Sequence, residues 1–147
     1  MKRSHVLATL TLAAGLAAGA WLLAAPRAGF ASADQVARGG EVYAGFCAEC
    51  HGANLEGQPD WKRPGPNGRY PAPPHDPSGH TWHHSDTVLA QIIYWGTAAV
   101  VGNGYESDMP GFKDILSEDD ILAVLSYIKS TWPEREAAFQ RVITLKQ

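Results

Sequence analysis

Cysteine is almost missing from this sequence. There are two in 147 residues, and both lie in one four-residue window, Cys47 to Cys50. A framework of several disulfides is excluded, and one bridge across so short a loop would stabilise little. Methionine is equally scarce, with Met109 the only one besides the initiator. No Lys/Arg run of useful length occurs, which argues against nucleic acid as a partner. No segment alternates apolar and polar residues in the manner of a strand, and there is no internal repeat. What is abundant is glycine, 15 residues, and proline, 10 residues, a composition that points to a loop-rich body.

The N-terminus reads as a segment outside the fold. Lys2, Arg3 and His5 give a positive start, and Val6 to Ala25 carries no charge. Ala31-Ser32-Ala33 is an A-x-A site of the kind that follows a secretory signal peptide. The uncharged stretch would be ~30 Å long as a helix, enough to span a bilayer. Residues 1–33 are therefore expected to be a cleaved signal peptide or an uncleaved membrane anchor through residues 6–25. Either one exports the rest of the chain, to the periplasm or the outer face of the cytoplasmic membrane. Loss of Lys2, Arg3 and Arg27 leaves nine basic against fifteen acidic residues, a net charge of −6 where the whole chain has −3. A partner that docks by charge should offer a basic surface.

The exported part reads as all-α, three to four helices with two long loops. Residues 34–46 form the first helix, with Asp34 as a cap and Val36, Tyr43 and Cys47 on one side. Gly39 and Gly40 each cost it roughly 1 kcal/mol against alanine, so a close approach should require them. Seven prolines between 59 and 77 make residues 52–84 loop. Ser85 caps a helix over 85–95 that Gly96 ends, and residues 97–116 read as loop again. Ser117 caps the best helix, in which Ile121, Val124, Leu125 and Ile128 keep helical spacing and Pro133 gives the break. Residues 134–145 allow a fourth helix with a narrow apolar face of Phe139, Val142 and Ile143. The apolar side chains are thin for a core carrying this much loop, so something else could fill the middle.

Four uses exist for Cys47-Ala48-Glu49-Cys50-His51. A disulfide would close a tiny loop. A thioredoxin-like pair would need a βαβ context, which is absent. Zinc would need two more ligands, for which His80 and His83 could be proposed. Covalent haem attachment uses two cysteines one helical turn apart to reach the two vinyl groups, with the next histidine toward the iron. C-x-x-C-H is the signature of that chemistry, and export of the segment agrees with it.

With "CAECH" at 47–51, "DMPGF" at 108–112 and "LSEDDILAVLSYIKSTW" at 116–132, residues 34–132 resemble the class I cytochromes c, small monohaem electron carriers. The resemblance implies a cytochrome c-like fold around one covalently bound haem c per chain. It implies His51 as the proximal iron ligand and Met109 as the distal one, with no catalytic residue. It implies that the first helix crosses the last, Gly39 and Tyr43 meeting Tyr127. It also implies a proline carbonyl on the ring N–H of His51, with Pro73 and Pro74 the leading candidates among seven. The residues agree with the Met109 assignment. Met109 stands in a polar loop with no apolar stripe, and Pro110 holds it toward extended geometry. His/Met ligation raises the reduction potential, which suits transfer of single electrons between envelope redox proteins, a donor and an acceptor.

Other readings stay open on the sequence. A labile Met109 would make a haem-based gas sensor or small haem enzyme. The chain could also be a cytochrome subunit of a larger oxidoreductase, docked through its anchor or through the C-terminal extension, residues 133–147. His75, His80, His83 and His84 are no hallmark of the family. They could form a second metal site, for copper for instance, or an exposed polar loop before the helix at 85, or supply a replacement for Met109. Trp82 and Tyr70 could reach the haem propionates or be ordinary loop packing.

Overall fold

The computed structural model describes residues 31–146. The uncharged stretch 6–25 lies outside the described residues. No described helix is long and apolar enough to cross a membrane.

The described residues form six α-helices and no strand: α1 (Ala33–Phe46), α2 (Ala48–His51), α3 (Asp86–Trp95), α4 (Thr97–Val101), α5 (Glu118–Ser130) and α6 (Glu134–Leu145), with a 3-10 turn at Thr81–His83 before α3. The all-α expectation holds, with two short helices beyond the count read from the sequence. One of them, α4, replaces part of the loop expected over 97–116. It has no buried residue, so no apolar stripe announced it. The cap of α1 is Ser32, whose side chain accepts from the Gln35 backbone N–H, and Asp34 sits in the first turn. Ser85 caps α3 as expected. Ser117 and Asp120 cap α5 reciprocally, each side chain taking the other's backbone N–H, the arrangement that satisfies two otherwise orphaned donors.

The frame of the molecule is the crossing of α1 and α5. A Cβ on Gly39 would lie 2.0 Å from the Ala123 carbonyl oxygen and 2.8 Å from the Tyr127 Cβ. Only glycine lets the two backbones meet there, which accounts for the helix-weakening residue in α1. Beside the crossing, the Tyr43 and Tyr127 rings lie 5.5 Å apart. Val42, Tyr43, Ile121, Val124, Leu125 and Ile128 are buried around it, and Arg38 ties the start of α5 to α1 through Asp120 at 2.8 Å.

The fourth helix allowed over 134–145 is present as α6. Phe139 and Val142 of its narrow apolar face are about half exposed, while Glu136 and Gln140 are 3% and 0% exposed. The buried side of α6 is polar because it covers polar loop. The Gln140 side-chain amide donates to the His84 carbonyl at 3.2 Å and to Asp86 Oδ1 at 2.6 Å. Phe139 packs edge-on to Trp82 at 5.4 Å. Trp132, just before α6, donates its indole N–H to the His75 carbonyl at 2.8 Å. The end of the chain thus fastens the histidine-rich loop to the body.

Candidate cofactor site

Tyr43 and the turn after α2 fix the position of His51. The Tyr43 hydroxyl donates to the Gly52 carbonyl at 2.8 Å and lies 3.3 Å from that of His51. The His51 carbonyl also receives the Gly57 N–H at 2.8 Å. The ring is oriented by a residue 22 positions on: His51 Nδ1 lies 2.8 Å from the Pro73 carbonyl oxygen. A carbonyl only accepts, so Nδ1 carries the proton and Nε2 keeps its lone pair. Of the two proline candidates, the bond goes to Pro73. Burial holds the His51 pKa below its ordinary value, partly opposed by this hydrogen bond. A neutral imidazole with a free Nε2 is the form that binds metal.

The loop around Pro73 and Pro74 is set by close backbone packing. A Cβ on Gly57 would come 2.4 Å from the Pro74 nitrogen, and one on Gly79 would come 2.0 Å from the Pro74 oxygen. His75 follows directly and stacks on His51, with ring centroids 4.1 Å apart and planes 23° apart. Its Nδ1 is 2.8 Å from Thr81 Oγ1. Burial, then His51 and His80, push the His75 pKa down to about 3.

Met109 is held from two sides. On one, a Cβ on Gly111 would lie 2.6 Å from the Trp95 carbonyl carbon, and one on Gly96 would lie 2.8 Å from the Gly111 nitrogen. Phe112 and Lys113 donate their N–H groups to the Ile93 and Tyr94 carbonyls at 2.9 and 3.1 Å. On the other side, Arg69 pairs with Asp108 at 2.5 Å and Glu106 at 3.4 Å. The long loop therefore grips the segment that carries Met109.

These elements enclose a cavity of about 640 Å³, within the range of cofactor sites. Cys47, Cys50, His51 and Met109 all line it, so the four residues singled out in the sequence are brought together. Both thiols are free. Burial and the neighbouring Cys50 raise the Cys47 pKa to about 11, which keeps the Cys47 thiol protonated near neutral pH. The walls are apolar side chains of α3 and α5, including Leu89, Ile92, Val124, Leu125 and Ile128. His80 lines the cavity, and its Nδ1 is buried without a hydrogen-bond partner. An apolar slot lined by two thiols, several imidazoles and a thioether fits a haem, a flat apolar ring with a metal centre.

The other histidines form neither a second metal site nor an exposed loop, and His75, His80 and His84 line the cavity. Among the described residues no group of three or more His, Cys, Asp or Glu side chains could hold a metal ion. Nor is the segment an exposed loop, since only His83 of the four is exposed. Spacing did not show this, because burial comes from α6 and Trp132, more than fifty residues away. Tyr70 lines the cavity and Trp82 does not; the Trp82 ring is taken up by His83 and Phe139.

Neither a comparison with curated proteins nor one with solved structures gives a match. A family model does: Cytochrome c, over residues 36–132. That span covers the glycine crossing, the paired cysteines, the Met109 segment and all of α5, and the chain belongs to the cytochrome c family of haem-binding electron-transfer proteins.

Proposed function

We propose that this chain is an exported one-electron carrier holding one haem c. Cys47 and Cys50 would hold it through thioether bonds. His51 Nε2 and Met109 Sδ would ligate its iron. The observation that carries this reading is the His51 bond to Pro73 on a cavity that Met109 also lines. A histidine with a free Nε2 and a methionine on one cavity support these two as the iron ligands.

The bound haem supplies a metal centre that gains and loses one electron. The protein's part is to keep that change small in structural cost. Pro73 fixes the imidazole, Gly96 and Gly111 fix the Met109 segment, and α3 and α5 exclude water. An iron with both axial positions filled has no place for a substrate, which favours transfer over catalysis. The acidic balance beyond residue 33 supports redox partners with basic docking surfaces. The uncharged stretch 6–25 behind Lys2 and Arg3 supports a place in the cell envelope, with either a cleaved or a retained anchor.

The test is an absorption spectrum of the exported part, oxidised and reduced, with and without carbon monoxide. Low-spin c-type bands that ignore the gas are the expected result. A high-spin or gas-binding spectrum would mean that Met109 is not a firm ligand, and the sensor or enzyme reading would replace the carrier. On denaturing gels, haem stain should be lost from the double variant Cys47→Ala, Cys50→Ala.

A further inference from the structure

A histidine ring turns easily about its Cβ–Cγ bond, because χ2 of such a side chain has a broad well. The Pro73 carbonyl takes hold of His51 at one atom, Nδ1, at 2.8 Å. A bond at one atom sets where that atom lies, and the ring can still tilt about it. A ligand whose plane is to stay constant needs a second constraint, on the face of the ring.

His75 supplies that face. Its ring lies on the His51 ring with centroids 4.1 Å apart and planes 23° apart. His75 is itself firmly held. Its backbone N–H donates to the Leu55 carbonyl at 2.8 Å, and its carbonyl receives the Trp132 indole N–H at 2.8 Å. Its Nδ1 lies 2.8 Å from the hydroxyl oxygen of Thr81, a buried residue. The Tyr43 ring meets it edge-on, with centroids 6.3 Å apart. These four partners come from the turn after α2, the segment after α5, the 3-10 turn and α1. A ring fixed by four separate parts of the chain is firm enough to fix another. The Tyr43 hydroxyl also bonds the Gly52 carbonyl, so the backbone beside His51 and the ring of His75 share one support.

This inference rests on the haem reading above and adds to it. We propose that His75 is a positioning residue for the iron ligand: its ring, stacked on His51, sets the plane of the ligating imidazole, while Pro73 sets its direction. An aliphatic side chain could fill the same space. An imidazole adds a flat face with an anchor at its edge, the face for His51 and the edge for Thr81. Flat rings that stack with an offset gain more than the burial of their area alone.

The consequence is electronic. The plane of an axial imidazole decides which iron d orbital it meets, and neighbours that orient a ligand tune the metal in this way. One plane gives one electronic ground state, and a spread of planes gives a spread of states. The stack therefore keeps all molecules of the carrier alike, and keeps the plane in place while an electron arrives or leaves.

The experiment is electron paramagnetic resonance of the oxidised, haem-loaded protein, comparing the wild type with His75→Leu, His75→Phe and Thr81→Val. The low-spin g values report the imidazole plane, and denaturant unfolding of the same samples reports stability. The wild type should give one narrow set of g values. His75→Leu should shift or split that set. His75→Phe keeps a flat face and should restore the wild-type set, although it loses the Thr81 bond. Thr81→Val frees the edge of His75 and should broaden the set, and it decides the matter if His75→Leu does not take up haem. Unchanged g values in His75→Leu, or in Thr81→Val where His75→Leu stays unloaded, would overturn the proposal. So would a His75→Phe spectrum like that of His75→Leu. Shifts that follow the loss of stability, whatever side chain stands at 75, would overturn it too, because the role would then be that of filling space. Failure of the haem reading itself gives a different result, a purified chain with no c-type absorption.

Discussion

The α1–α5 crossing and the histidine-rich loop under α6 are both buried, and they are built in opposite ways. The crossing is made of residues that each carry their own reason. Gly39 is there because a Cβ would strike the Ala123 backbone, and the apolar stripe of α5 buries against α1. The loop has almost no apolar stripe. It is held by single polar bonds from far along the chain: Trp132 to the His75 carbonyl, Gln140 to the His84 carbonyl and Asp86. The first region resists by steric exclusion. The second depends on hydrogen bonds that must all be made together, each worth about 0.5–1.5 kcal/mol net but more to leave unmade when buried.

The largest break in that contrast should come at Gly39. Gly39→Ala puts a methyl 2.0 Å from a carbonyl oxygen, and overpacking of this kind costs about 1–3 kcal/mol or more. Gly45→Ala, in the same helix with nothing within 4 Å, should instead stabilise by up to ~1 kcal/mol. Denaturant unfolding of both variants would settle the point, and equal effects would mean that the crossing is not sterically set.

His75 should give the loop a weakness to acid. Its pKa of about 3 lies below the ordinary histidine value of about 6.5. The unfolded chain therefore binds a proton that the folded one refuses. The stability that neutral His75 contributes is whole above about pH 6.5 and is lost progressively as pH falls toward 3, an upper bound of about 4–5 kcal/mol. Unfolding followed across that window should show the loss, and His75→Gln should flatten it.

A smaller loss is expected at Gln140→Leu, about 1–3 kcal/mol from unpaired groups around His84 and Asp86. Amide exchange should rise over 75–84 and stay unchanged across the α1–α5 crossing. Exchange rising equally in both would show that the two regions unfold as one. Smallest of all is Arg69→Gln. Its pairs with Asp108 and Glu106 are solvent-exposed and screened by salt. The fold should be unaffected, while imidazole should displace Met109 slightly more readily at low salt than in the wild type.

The same contrast decides what could be read from the sequence. Capping at Ser85 and Ser117, the helical stripe over 121–128, the Cys47–His51 spacing and the isolated Met109 are local signals, and each led to the right element or to the same cavity. The choice of Pro73 over Pro74 was not local, since it depends on how Gly57 and Gly79 pack against the second proline. The inward side of α6 was not legible because helical spacing ranks apolar residues first, and this helix covers a polar loop with Glu136 and Gln140. The fate of the four histidines depended on that helix and could not be seen from their own spacing.

Within the long loop, the Gly65 N–H bonds the Arg69 carbonyl and the Gly68 N–H bonds the Gly65 carbonyl, each at 2.8–2.9 Å. This small turn closes on itself. Gly68 has φ +79 and open space where a side chain would begin. Its tip carries none of the bonds that orient His51 or seat the histidines, and Arg69 follows it directly. It is therefore a place where foreign sequence can enter. A short peptide inserted between Asn67 and Gly68 would give an electron carrier with a handle for surface immobilisation, provided that Arg69 keeps its pairs with Asp108 and Glu106.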